Sequence, residues 1–259
     1  MSGPRILGLA LVVAVLGFAA LGPVLVTADP AAQDLSNVLA PCSAEWLLGT
    51  DHLGRSVLAR LAHAARLSVL LGAASVATAA LAGIGLGLVA AWRGGWVDTA
   101  LNAAGDAVLA LPGLLLVVLI TPFAPGAMWP LFLGLSLAMW VEWFRITRAT
   151  AATELASPAV EAARLLGFGP GHILRRHVLP PLWPLFGTLA AFGLAQAVLA
   201  VGALGFISVG LRPPAAEWGL MMTESLPWYA DLPAAMVAPA ICLSLLVLGL
   251  QLLAGRRAR

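Results

Sequence analysis

Few side chains in this 259-residue chain could do chemistry. Twelve are Asp or Glu, four are His, and all fourteen basic residues are Arg, because the sequence contains no Lys. The absence of Lys removes two reaction classes at once. A Walker A phosphate loop needs a lysine to reach the β/γ-phosphates, and Schiff-base chemistry needs a lysine amine. Any energy from ATP must therefore come from a partner. Asp98, Asn102 and Asp106 recur every four residues as a polar stripe, and Gln196 stands alone in an apolar run. Ionisable groups at membrane depth are functional by default, although this stripe could equally sit among headgroups, and Gln196 is expected to hydrogen-bond to a neighbouring helix. His52 and His63, eleven apart, would share a helix face as nickel ligands, but Gly54 breaks such a helix; His172 and His177 are poorer candidates. No catalytic residue, cofactor or metal site is expected.

The elements that hold these groups are set by composition. With 61% hydrophobic residues, 10% charged and a mean hydropathy of +0.97, against about 25% charged in soluble domains, the chain reads as one all-α membrane domain with no basic arm for nucleic acid. A span needs roughly 20 apolar residues. Six windows qualify: Ile6 to Val26, Leu67 to Trp92, Ala107 to Ile120, Ala127 to Phe144, Pro184 to Val209, and Ala234 to Ala254. The first could be a secretory signal, but its apolar run exceeds a signal core of 7 to 15 residues, so an uncleaved span is favoured. With both termini cytoplasmic, ten Arg fall inside and only Arg55, Arg60, Arg66 and Arg212 outside, as basic residues in short loops prefer. Ser75, Ala79, Gly83 and Gly87 put small side chains on one face of the second span, an arrangement for close helix packing or for lining a path. Cys42 and Cys242 read as unpaired, with a disulfide as the alternative. Trp218, Trp228 and Tyr229 fit an interfacial aromatic belt or a surface that meets a partner protein.

The longest loop, Arg145 to Trp183, has internal structure. Ser157 and Pro158 are an N-cap and N1, Ala159 to Leu166 is helix-forming with Glu161 early, and Gly167 stops it. After a Phe168–Gly171 turn, a second short helix is expected from His172 to Leu179, ending at Pro180-Pro181.

Three motifs add a resemblance. Glu161-Ala162-Ala163, three residues, Gly167, nine residues, then His177-Val178-Leu179-Pro180 is similar to the EAA loop of importer-type ABC transporter permeases, with His177 in place of Ile. Arg176 to Pro180 looks like the version in the dipeptide, oligopeptide and nickel permease family, with Pro181 where that family has Asn. Leu48 to Ser56, continuing to Ser68, resembles its GTDxxGRD segment with Ser56 replacing Asp. Leu204 to Leu211, Pro213-Pro214 and Glu217-Trp218-Gly219 resemble its LSFLGLG, PP and EWG run. Ala103 departs from the Arg often found three residues before the Asp that matches Asp106.

The resemblance implies a type I ABC importer permease fold, like that of the methionine importer permease, in a prokaryotic inner membrane. It implies residues 1–66 as a first helix and outer loop, and 67–259 as a five-helix permease domain with its EAA loop at 145–183. Glu161, Ala162, Ala163, Gly167, Leu179 and Pro180 become the ATPase-coupling residues, and Asp106 and Gln196 candidates for the translocation path. The implied partners are a second permease, two ATPase subunits and an extracytoplasmic binding protein, for uptake of short peptides or chelated nickel, with peptides favoured because no convincing metal ligand set is present. A channel, a secondary carrier or an intramembrane enzyme are the competing classes. A carrier should carry ion-coupling carboxylates at the midplane, and the spans hold essentially none.

Overall fold

The computed structural model describes residues 3–255, so Arg256, Arg257 and Arg259, counted above in the tail, lie outside the described residues. Among those residues the protein is helical, with two isolated β-bridges, Thr50 to Ser56 and Gly126 to Leu211. Ten helices follow in order: α1 (Gly3–Leu25), α2 (Val57–Arg93), α3 (Gly95–Leu109), α4 (Gly113–Ile120), α5 (Trp129–Leu155), α6 (Pro158–Leu165), α7 (Pro170–Ile173), α8 (Leu179–Phe206), α9 (Trp218–Ser225) and α10 (Pro233–Ala254).

The helices α1, α2, α10 and the run Pro170–Phe206 are long and apolar enough to cross a membrane. The third expected span is not one helix starting near Ala107. It is the pair α3 and α4, bent by 77°, because Pro112 has no amide hydrogen to donate and pushes Leu111 out of the helical region. The fourth expected span lies in the 27-residue α5, where Glu142 and Arg145 lower the apolarity. These six passes make a polytopic all-α membrane fold.

The small-residue stripe on α2 is a packing device. A Cβ at Gly83 would lie 2.5 Å from the Trp140 carbonyl oxygen, and one at Gly87 would lie 2.8 Å from that of Phe144, so the backbones of α2 and α5 touch. Gly134 on α5 meets Val117 of α4 in the same way. The start of α1 packs on the end of α10 through Gly8 and Gly249, and its end on the start of α2 through Gly22 and Ala62. The end of α2 meets Thr147 and Arg148 of α5 just before α6. By these contacts residues 3 and 254 lie on the membrane face that carries α6. Cys42 and Cys242 are both free thiols.

Candidate functional site

The α6–α7 hairpin forms for the reasons its residues suggest. The Ser157 hydroxyl accepts from the Val160 amide, and Pro158 opens α6. Gly167 has φ +82°, where a side chain costs about 1 kcal/mol or more, and the Phe168 amide closes the turn on the Ala163 carbonyl at 3.0 Å. Val160 and Ala163 face inward on a cluster with Ile173, Val178 and Leu182. Ala163 is therefore core, while Glu161, Ala162 and Gly167 are exposed. Leu165 and Leu166, not singled out in the sequence, are 85% and 76% exposed, and Phe168 is also open. The hairpin thus presents an apolar tip.

Two expectations for this segment need correction. Arg145 to Leu155 is the continuation of α5 rather than loop. The second short helix does not end at Pro180-Pro181: the chain runs from α7 through a π-helical turn, Leu174–Val178, directly into α8. Pro180 and Pro181 would clash with the carbonyls of Arg176 and His177 in an unbroken α-helix. The wider turn just before them takes up the missing hydrogen bonds. Leu179 and Pro180 are the first residues of α8.

The polar stripe on α3 is paired. Asp98 accepts from the Arg148 guanidinium, Asp106 accepts from Arg145, and the Asn102 amide donates to Asp98 Oδ1 at 3.0 Å. Asp106 is thus a tie between α3 and α5. Gln196 lines a cavity of about 490 Å³ between α4, α5 and α8, together with Pro112, Gly113, Val117, Leu135 and Met139. Among the described residues its amide makes no hydrogen bond, so the expected partner helix is not used. Pro112 and Gly113, at the bend after α3, form part of its wall.

The opposite face holds a cluster that the sequence did not reveal. Arg55 Nε donates to Asp51 Oδ2 at 2.7 Å, and Arg55 Nη2 donates to Glu224 Oε1 at 3.1 Å. Arg60 Nη2 donates to Glu224 Oε2, while its Nε lies 3.6 Å from Asp51 Oδ2. Both arginines are 1% exposed. Two acids and two bases thus cancel inside the protein, tying the motif loop to α9. Gly54, at φ +72°, lets that loop pass against the Asp34 carbonyl.

A second acid anchors α9 itself. Both oxygens of Glu217 accept from amides, Gly219 and Leu220, at 2.9 Å. Gly219 lies backbone to backbone on Gly202 and Phe206 of α8. Trp218 is completely buried in the cluster of α1, α2 and α10 rather than in an aromatic belt, because α9 folds inward; Trp228 and Tyr229 remain open. His52 stacks on Trp228 at 6.4 Å, and His63 lines a different cavity, so the structure does not bring the two histidines together.

Burial pushes the Glu217 carboxyl up to about 7, against the opposing pull of the amides of α9. The folded protein therefore holds this proton between about 4.5 and 7 while the unfolded chain has lost it. That contribution is complete below pH 4.5 and lost as the pH rises through 7, by up to about 3 kcal/mol. Thermal unfolding of the full chain in detergent should show this decline, and Glu217→Gln should flatten it.

One face thus carries a hairpin with an apolar tip, and a bent span stands beside an apolar cavity within the bundle. The family model described as the binding-protein-dependent transport system inner membrane component matches residues 83–258, and the chain belongs to that family: it is a transmembrane permease subunit of an ABC importer. It is 34% identical to the di/tripeptide transport system permease protein of Pseudomonas aeruginosa, over 87% of this chain and 76% of that protein. It is 29% identical to the dipeptide transport system permease protein of Alkalihalophilus pseudofirmus, over 96% and 82%. A putative peptide transport system permease protein of Brucella suis is 32% identical, over 95% and 83%. Among solved structures, an inward-facing form of the MetNI methionine ABC transporter shares the fold, with a TM-score of 0.55, 19% identity and coverage of 71% of this chain and 88% of that one.

Proposed function

We propose that this permease imports short peptides and couples to cytoplasmic ATPase subunits through the α6–α7 hairpin. The substrate class rests on the relatives named for dipeptides and peptides. The coupling role rests on the open tip of Leu165, Leu166 and Phe168 beside Glu161 and Gly167, apolar surface that a cleft in another protein would cover. Leu179 and Pro180 then carry the hairpin into α8. We take the assembly to contain a second, related permease, two ATPase subunits and an extracytoplasmic binding protein, with both termini cytoplasmic. The expected division at residue 66 falls inside α2, so we take α1, which packs chiefly on α2 and α10, as an addition to a five-helix core that begins with α2. We take Gln196, which lines the cavity of about 490 Å³, as a candidate for the path, and Asp106, which accepts from Arg145, as a second.

Uptake of labelled dipeptides in a deletion strain, compared with radioactive nickel, tests the substrate; nickel uptake alone would refute it. Transport by the purified chain without ATPases would indicate a carrier or channel instead. The hairpin is tested separately. At Gly167 an added Cβ meets nothing within 4 Å, so Gly167→Val strains the turn without clashing with the rest of the chain. Membrane level should be unchanged, transport abolished and ATPase co-purification weakened. Glu161→Ala should be milder, because an exposed first-turn acid contributes about 0.3–1 kcal/mol. Full transport by Gly167→Val with ATPases bound would exclude the hairpin as coupler.

A further inference from the structure

Arginines on the face opposite the hairpin divide into two groups. Arg55 and Arg60 are neutralised by Asp51 and Glu224. Arg66 and Arg212 are exposed, and among the described residues neither has an acidic partner. Cations on this side need an explanation in a permease whose basic residues otherwise gather at the hairpin face. Arg66 has a particular setting. It is the last charge before the apolar window of α2, so it sits at the membrane boundary. One turn earlier His63 points to the same side, and the two line a cavity of about 410 Å³ whose remaining wall includes Leu67, Leu70, Met128 and Ala215.

We propose that this cavity is a binding site for an anionic phospholipid of the leaflet opposite the hairpin. The Arg66 guanidinium and a His63 ring N–H would hold the phosphodiester, and the acyl chains would run down Leu67 and Leu70. Charge complementarity selects the anion. The position at the end of the apolar window selects a lipid over a soluble ion, since the wall below the cation is hydrocarbon-facing. A zwitterionic lipid brings the same phosphodiester but also an ammonium group that the Arg66 guanidinium repels, so it is held less tightly, and a soluble phosphate gains nothing from Leu70. The site lies outside the Gln196 cavity and does not depend on which substrate is carried.

Native mass spectrometry of the full chain, released from nanodiscs of phosphatidylcholine mixed with phosphatidylglycerol, reads the site directly. Wild type should retain phosphatidylglycerol preferentially. Arg66→Gln should weaken retention about tenfold, the effect of losing one charge-assisted hydrogen bond. Met128→Trp, which fills the cavity and leaves the charge, should lose it too. Arg212→Gln, an exposed cation outside the cavity, should retain it. Equal retention of both lipids by wild type, or an equal loss in Arg212→Gln, would overturn the proposal. So would equal protection from thermal unfolding by free glycerol phosphate, because the site would then serve a soluble anion.

Discussion

Glu224→Ala should lower the stability of the permease by about 3–5 kcal/mol, the cost of leaving a buried charge without its partner. Glu224 accepts from both Arg55 and Arg60, so its removal leaves two buried cations facing Asp51 alone. Against a total stability of about 5–15 kcal/mol, that is enough to deplete the protein from membranes. The double variant Arg60→Met, Glu224→Leu should recover much of the loss, since it retains the Asp51–Arg55 pair and replaces the other charges by apolar groups, a change that is often neutral or stabilising. Thermal unfolding in detergent of wild type and both variants measures this. A double variant as unstable as the single one would show that Arg60 is needed for more than charge balance.

Gly219→Ala should also destabilise the permease, through a different mechanism. The added methyl would lie 2.7 Å from the Gly202 carbonyl carbon and 2.8 Å from the Phe206 nitrogen. Both are backbone atoms of α8 and cannot rotate away. Overpacking of this kind costs about 1–3 kcal/mol, occasionally more. Here it would also lift the Gly219 amide from the Glu217 carboxylate. We expect a lower unfolding temperature, and faster proteolysis at the α8–α9 connection than in wild type. Unchanged proteolysis would mean that α9 is held by its charges and not by this contact.

The limits of the sequence follow from these two sites. Apolar windows and caps are local, so the spans, the Ser157 cap and the Gly167 turn could be read from composition and spacing alone. The EAA, GTD and EWG stretches were legible as motifs. Their physical partners were not. Glu224 meets Arg60 across 164 positions, and neither residue lies in a periodic pattern that points to the other. The pairing of Asp98 with Arg148 is equally long-range. Trp218 looked interfacial because an aromatic residue near a span end usually is; only the glycine contact that draws α9 inward makes it core. The bend at Pro112 is invisible to a count of apolar residues, which takes no account of the amide that proline lacks. Pro180-Pro181 misled in the opposite direction, since a π-turn preserves a helix that prolines would otherwise stop.

That π-turn gives the molecule a mechanical property. From Pro170 to Phe206 the chain is one helical run of 37 residues, about 55 Å long at 1.5 Å per residue. One end is seated under α6 through Ile173, and the other lies against α9 through Gly202 and Gly205. With no loop between them, the two ends are joined by continuous helix, and we expect a displacement of the hairpin to reach α9 with less slack than a loop would allow. Stiffness here depends on five residues, Leu174–Val178, and inserting a glycine among them would turn the run into a hinge.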